Sequence, residues 1–422
     1  MASKDPRLGS VAMIGSIFNM PDAPASLIGK FEDNIGRTEN LESAAKNLLK
    51  SLDGQYALAL RRDDTFLLAR DPIGVKPLYF AENDHMFVFS SRRRPLWEAG
   101  LTDIRALPQP LIIVDGKVTR ITHGIKMGSI KSEKNSLTDS LVLLLTNAVK
   151  KMTASAGRNV GILFSGGLDS SIISKLSKDL GIKCTLYCAG TSSSRDMISA
   201  RRVAAALGLQ LVEKNITSDE ATNYLLPVVK SIESFEMIAV STSLPIYLAT
   251  REAVRSGEHI ILHGQGADEL FGGYERYEAK LVSSGYAALC REMLNDIVGL
   301  GNTMPQFDQI GTMNSAILLA PFLDASVVEF SLGIPPQMKL FKGMATISRK
   351  HILRQAASRI GIAVDILPKR KVAVQFGSGV AKILDKASRT AGFTKRIAKD
   401  MGFPLPVQAY LKEVGKLAGI PL

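Results

Sequence analysis

Val160-Gly161-Ile162-Leu163-Phe164-Ser165-Gly166-Gly167-Leu168-Asp169-Ser170-Ser171 begins as an apolar run, turns through Ser-Gly-Gly and then changes its periodicity. The apolar start reads as a buried strand. After Leu168, the residues Ile172, Leu176 and Leu180 recur four apart, as on one face of a helix. A strand that turns sharply through two glycines into a helix leaves several backbone N–H groups aimed at one point. The helix dipole adds partial positive charge there, so such a loop suits a phosphate. Asp169 stands at the head of the helix, and a carboxylate beside bound phosphates is best explained by a magnesium ion held between them. The bland alternative is an ordinary strand-turn-helix joint with Gly for tight packing. The Ser-Gly-Gly-x-Asp-Ser spacing is more specific than a lone Gly-rich loop.

Outward from this stretch, strand and helix alternate. Strands are predicted at 160–164, 184–188, 210–213 and 259–262, with helices at 170–180, 196–207, 218–231 and 242–254. Such alternation calls for a mostly parallel sheet covered on both faces, with ligands bound beyond the carboxyl ends of its strands. The chain from about Glu275 onward reads as mainly helical. A second loop, His263-Gly264-Gln265-Gly266-Ala267-Asp268-Glu269-Leu270-Phe271-Gly272-Gly273-Tyr274, also follows an apolar strand. Its glycines let backbone N–H groups approach a ligand, and Asp268 offers a second carboxylate. Asp169 and Asp268 at two strand ends could clamp one Mg²⁺ with nucleotide phosphates. Alone, the second loop also fits a surface turn whose Asp caps a helix.

The pair of loops resembles those of the glutamine-hydrolysing asparagine synthetase family, within the pyrophosphate-loop ATP pyrophosphatases. Gly190 and Asp196, Pro321-Phe322-Leu323-Asp324, Lys350-His351-Ile352-Leu353-Arg354, and Arg370-Lys371 with Gln375-Phe376-Gly377-Ser378-Gly379 resemble further family segments. The likeness runs from about residue 137 to 380. It implies ATP and Mg²⁺, with a carboxylate adenylated and then attacked by ammonia. By that likeness Phe164, Ser165, Gly166, Gly167, Asp169, Ser170, Ala189, His263 and Gly264 would bind the nucleotide, while Asp169 and Asp268 would hold the metal. Lys371, Gln265 and Asp268 are the implied catalytic set, with Lys350 and Arg354 as second candidates for the lysine's role. For Lys371 a plain basic surface cluster with Lys369 and Arg370 is an equal reading.

Residues 1–125 contain short β-like runs at 11–18, 56–60, 66–69, 78–80, 86–89 and 111–114, and one amphipathic helix at 41–52. Leu52-Asp53-Gly54-Gln55-Tyr56-Ala57 and the stretch Ala69-Arg70-Asp71-Pro72-Ile73-Gly74-Val75-Lys76-Pro77-Leu78-Tyr79 are similar to the family's glutaminase domain. The implied architecture is a shortened α+β glutaminase-like domain of the N-terminal-nucleophile type (1–125). A polar linker spans 126–135. An α/β synthetase domain over 135–422 follows, opened by a helix at 137–152.

Two departures limit the likeness. The glutaminase nucleophile of the family is an N-terminal cysteine, yet the first cysteine here is Cys184. The glutamine-holding Arg-Gly-Pro-Asp and Asn-Gly-Glu stretches are also missing, so glutaminase activity is expected to be absent. The second departure is Gln265, where asparagine synthetases carry Glu. Gln keeps shape and hydrogen bonding but takes no proton. Glu269 is a candidate to compensate, Ser241 to Pro245 lack an arginine that some relatives place near the amino acid, and Glu233 and Glu236 could hold a substrate ammonium or form a solvated helix end.

The 422 residues carry a net charge of +12, spread along the chain, and 46% hydrophobic content, as in an ordinary globular protein. No apolar run approaches the ~20 residues of a membrane span, and no signal-peptide layout is present. Three cysteines (Cys184, Cys188, Cys290) form no even framework, which places the chain in a reducing cytoplasm. The leading expectation is an AMP-forming amide ligase using free ammonia or ammonia from a separate glutaminase. Beside it stand cyclisation or amidation of another carboxylate, since β-lactam-forming relatives share both departures, and a non-catalytic ATP-binding regulator. A nucleic-acid-modifying role is disfavoured for want of paired catalytic cysteines and of any RNA-binding module. A homodimer is left open.

Overall fold

The computed structural model describes residues 2–5, 9–20, 23–37, 40–62, 64–107, 110–114, 117–121, 134–154, 159–344, 346–368 and 373–421. The chain forms two compact units. One comprises Met1–Gly128 with Asn295–Pro305 and Leu323–Leu332, and the other Ser129–Leu294, Gln306–Phe322 and Gly333–Leu422. The two short helical insertions in the first unit are invisible to a linear reading. The expected linker at 126–135 falls largely outside the described residues.

The first unit is built on a six-stranded antiparallel sheet in the order Ala2–Asp5, Gly9–Ile17, Gly54–Arg62, Thr65–Arg70, Leu111–Val114, Lys117–Arg120. Period-two alternation splits the strand Gly54–Arg62 between two cores. Leu58 and Leu60 pack with Leu27, Phe31, Leu48 and Leu49, while Ala57 and Ala59 pack with Leu78, Phe80 and Leu111. The helix Leu41–Ser51 lies where its apolar spacing placed it and is capped by the Asn40 side chain. The helix Ala23–Arg37 was not expected. Its two glycines and the early Pro24 lower its intrinsic propensity, and burial of Leu27, Ile28 and Phe31 outweighs that cost.

The second unit carries a five-stranded sheet in the order Leu211–Asn215, Lys183–Gly190, Asn159–Leu163, Ile260–Leu262, Ile317–Leu319. Every pairing in it is parallel. The chain builds outward from the Asn159–Leu163 strand on one side, then returns to build on the other. Strand order therefore reverses beside that strand, the place where α/β sheets bind ligands. The strand Ile317–Leu319 was missed, because three apolar residues between helices carry no periodicity. The helix Met237–Arg255 starts five residues before the expected 242 and contains Pro245. Among the described residues no helix is long and apolar enough to cross a membrane.

Candidate active site

The Asn159–Leu163 strand delivers Phe164, whose N–H donates to the Tyr187 carbonyl at 2.8 Å, and then turns. Gly166 makes the turn at φ +67°, and a Cβ there would stand 2.4 Å from the Ser199 backbone carbon. No other residue fits, since the left-handed conformation and the close approach of the Arg195–Leu207 helix both exclude a side chain. Ser199 locks the turn by donating its hydroxyl to the Gly166 carbonyl at 3.1 Å. Gly167 then caps the helix Leu168–Asp179 without any side-chain cap, so the first N–H groups of that helix face the cavity.

The second loop leaves the Ile260–Leu262 strand through His263, which is 3% exposed and stacks on Phe307 at 4.8 Å. After Gly266 (φ +89°) a short helix, Ala267–Phe271, carries Asp268 and Glu269 inward. Asp169 and Asp268 are both buried, and between them lies the ammonium of Lys350. Its Nζ is 2.7 and 2.6 Å from the two Asp169 oxygens and 2.7 Å from Asp268 Oδ1. Lys350 thus stands beside the same two carboxylates that sequence reading offers to a magnesium ion. Burial pushes the Lys350 pKa down and Asp169 pulls it back up. Lys350 also holds a left-handed backbone at φ 51°, a cost of about 1 kcal/mol or more for a residue with a Cβ. Its neighbour Arg349 anchors it, donating to the Gly273 carbonyl at 3.0 Å and pairing with Glu278 at 2.7 Å. Gly273 is required here, because a Cβ would sit 1.8 Å from Asp268 Oδ1 and 2.4 Å from Lys350 Cε.

The two loops border a cavity of about 420 Å³. Of the expected nucleotide contacts, Phe164, Ser165, Gly167, Asp169, Ser170, Ala189, His263 and Gly264 line it, and so does Gln265. Gly166 turns instead toward the helix behind it. Asp268 is reached through Lys350. Lys371, with Lys369 and Arg370, lies outside the described residues, whereas the second-rank Lys350 and Arg354 are both in the wall. Arg195, Arg202 and Arg349 also line the cavity. Sequence reading missed them because surface and cavity arginines look alike in one dimension, although Arg349 adjoins a quoted segment. Burial, then neighbouring Arg349, lowers the Arg354 pKa, and Asp169 raises it.

The wall carries hydrogen-bond donors and cations in excess of its carboxylates, Asp169 and Asp196. That suits a polyanion. Asp169 and Asp268 are hard oxygen donors of the kind Mg²⁺ takes in ones and twos beside phosphates and water, so the residues fit the ion's chemistry in competition with Lys350. The supposed compensating base does not reach the cavity: Glu269 is buried and accepts a hydrogen bond from the Tyr274 hydroxyl. Glu233 is no solvated helix end either, since it is 2% exposed and accepts from the Gln309 amide at 3.3 Å. From the 241–245 stretch, Pro245 lines the cavity, and it supplies no charge.

This architecture coincides with what the chain resembles. An asparagine synthase family profile matches residues 141–315 and 283–400, and a glutamine amidotransferase domain profile matches residues 1–98. A Methanocaldococcus jannaschii protein, whose name assigns it to the glutamine-hydrolyzing asparagine synthetases, is 32% identical over 398 residues, covering 82% of this chain and 73% of that one. Asparagine synthetase 2 of Oryza sativa is 26% identical over 380 residues, covering 82% of this chain and 61% of its own length. Asparagine synthetase B of Escherichia coli is 27% identical over 376 residues, with 82% and 66% covered. The chain thus spans less than two thirds of the length of the latter two. The chain belongs to the asparagine synthase family, and with it to the ATP-using ligases that form C–N bonds.

Proposed function

We propose that the protein is an ATP-dependent, AMP-forming amide ligase that takes ammonia rather than glutamine, with aspartate or a similar acid as substrate. A substrate carboxylate attacks the α-phosphorus of ATP, giving an acyl-adenylate and releasing pyrophosphate. Ammonia then attacks the acyl carbon, the C–O bond to AMP breaks, and the amide, AMP and a proton leave. The observation that carries this reading is the Asp169–Lys350–Asp268 cluster set between two glycine loops, with Arg349 and Arg354 in the same wall.

Leaving pyrophosphate accumulates negative charge, so the step is accelerated by donors and cations already in place. The N–H groups of the Ser165–Ser170 turn, the Lys350 ammonium and the two arginines meet that need. Asp169 and Asp268 would hold Mg²⁺ against the phosphates, where the ion supplies charge neutralisation. The Lys350 ammonium, 2.6 to 2.7 Å from both carboxylates, would place a second positive charge beside the leaving oxygens. Lys371 is retained as a second candidate for that role. Gln265 orients an incoming nucleophile by hydrogen bonding but accepts no proton, so ammonia has to arrive as NH₃; loss of a general base costs a factor of ~10²–10⁴.

Residues 1–125 hold no cysteine, which supports a scaffold without glutaminase chemistry and free ammonia, or a separate glutaminase, as the nitrogen source. Gln265 also favours a second reading, amidation or cyclisation of a different carboxylate by the same ATP chemistry. Pyrophosphate release with ATP, Mg²⁺, ammonium and a panel of amino acids tests both. The expected result is release with at least one acid, abolished by Asp169→Asn and by Asp268→Asn. ATP binding without release for any acid would overturn the ligase reading in favour of a regulatory one.

A further inference from the structure

The left-handed backbone of Lys350 (φ 51°) is costly for a residue with a Cβ, so the chain on either side of it has to be held. A closed circuit of contacts holds it. Lys350 Nζ meets Asp268 Oδ1 at 2.7 Å. The Asp268 carbonyl accepts the Gly273 N–H at 2.9 Å. The Gly273 carbonyl accepts from the Arg349 guanidinium at 3.0 Å, and Arg349 adjoins Lys350 in the chain. The Arg349 carbonyl also accepts from Arg354 Nε at 3.2 Å. Arg349 thus orients both of the other cations that this segment gives to the cavity wall.

Three cations so close together repel one another, and each needs a counter-charge to stay in place. Lys350 has Asp169 and Asp268. Among the described residues Arg349 pairs with one carboxylate, Glu278, at 2.7 Å, with the two side chains 12% and 33% exposed. Glu278 does not line the cavity. It stands in the first turn of the helix Glu275–Thr303, beside Tyr277, which is fully buried among Leu281, Leu289, Met293 and Leu340. Ile347, two residues before Arg349, packs against the same cluster. The acid and the segment it holds are therefore fixed to one piece of core, which distinguishes this pair from a mobile surface contact. We propose that Glu278 is a positioning residue for the pyrophosphate end of the nucleotide: through Arg349 it sets where the Lys350 ammonium stands, and it touches no substrate itself. The proposal rests on the ligase reading given above.

The full chain in saturating Mg²⁺ is titrated calorimetrically with an ATP analogue that cannot be cleaved between its α- and β-phosphates. Four proteins are compared: native, Glu278→Ala, Lys350→Met and the double variant. Lys350→Met is expected to bind the analogue about tenfold more weakly, the worth of one charge-assisted contact, and Glu278→Ala about fivefold more weakly. The double variant should be no weaker than Lys350→Met alone, because a positioning role vanishes with the group it positions, whereas a merely structural role adds its own loss. Melting curves show that each variant is folded at the assay temperature, and Glu278→Gln or Lys350→Gln is read in place of one that is not. Native affinity in either single variant, or losses that multiply in the double variant, would overturn the proposal. Pyrophosphate release with the acid panel separates it from the ligase reading. The expected binding pattern without release for any acid leaves Glu278 its role and removes the ligase. Release at the native rate in Glu278→Ala does the reverse.

Discussion

Replacing Lys350 by Met removes an ammonium and leaves a side chain of similar length between two buried carboxylates. The two ion pairs it makes, at 2.6 and 2.7 Å, are each worth roughly 6 kcal/mol of gross attraction at an effective dielectric constant near 20. Most of that is offset by desolvating one cation and two anions, so the gross figure is no guide to the net. What the substitution does is take the ammonium from between two buried carboxylates, and removing one partner of a buried ion pair costs about 3–5 kcal/mol. At about 2–4 °C per kcal/mol for a domain of this class, the melting transition of the unit should fall by about 10 °C in EDTA. Millimolar Mg²⁺ should then stabilise Lys350→Met more than the native protein, because the ion replaces the missing charge where it formerly had to compete with the lysine. The assay is thermal denaturation of both proteins in EDTA and across a Mg²⁺ series. If Lys350→Met melts with the native protein in EDTA, the cluster is not electrostatically coupled. If Mg²⁺ shifts both equally, metal and lysine do not contend for the same carboxylates.

Gly166→Ala should cost about 3 kcal/mol in chemical denaturation and abolish ATP binding, because φ +67° and a Cβ 2.4 Å from the Ser199 backbone together force the turn open; retained ATP affinity would show that the turn is not the phosphate site. Lys339 is buried, and that burial lowers its pKa from 10.5 to about 8, with Cys290 acting weakly the other way. Between about pH 8 and 10.5 the unfolded chain holds a proton that the folded chain has lost, so stability should rise with pH across that window by up to about 3 kcal/mol, and the rise should vanish in Lys339→Met. Incubation with glutamine should release no glutamate above background, and release would restore the glutaminase that residues 1–125 are here denied. A thiol reagent at pH 8 should label exposed Cys290 first, since burial pushes Cys184 up to about 11 and Cys188 higher still; equal labelling of all three would contradict the buried placement of the other two.

Local chemistry was legible in one dimension. An apolar run, two glycines and a helical period already dictate a strand, a turn and a helix, because each of these is decided by a residue and its near neighbours. That reasoning reached the parallel sheet, the two loops and the carboxylates they carry. It reached neither the short strand Ile317–Leu319 nor the helix Ala23–Arg37, whose stability comes from burial against residues distant in the chain. The contact of Lys350 with Asp169 and Asp268 was also beyond it. Those residues and Lys350 lie 181 and 82 positions apart in the sequence, and a charge can be assigned a partner only when folding brings it within a few ångströms. Sequence alone therefore determined that this protein presents two glycine-bearing turns after buried strands, each followed by an acidic residue. Tertiary structure decided what stands between those acids, which arginines face the cavity, and that Glu269 and Glu233 do not, since burial and proximity are properties of the packed chain.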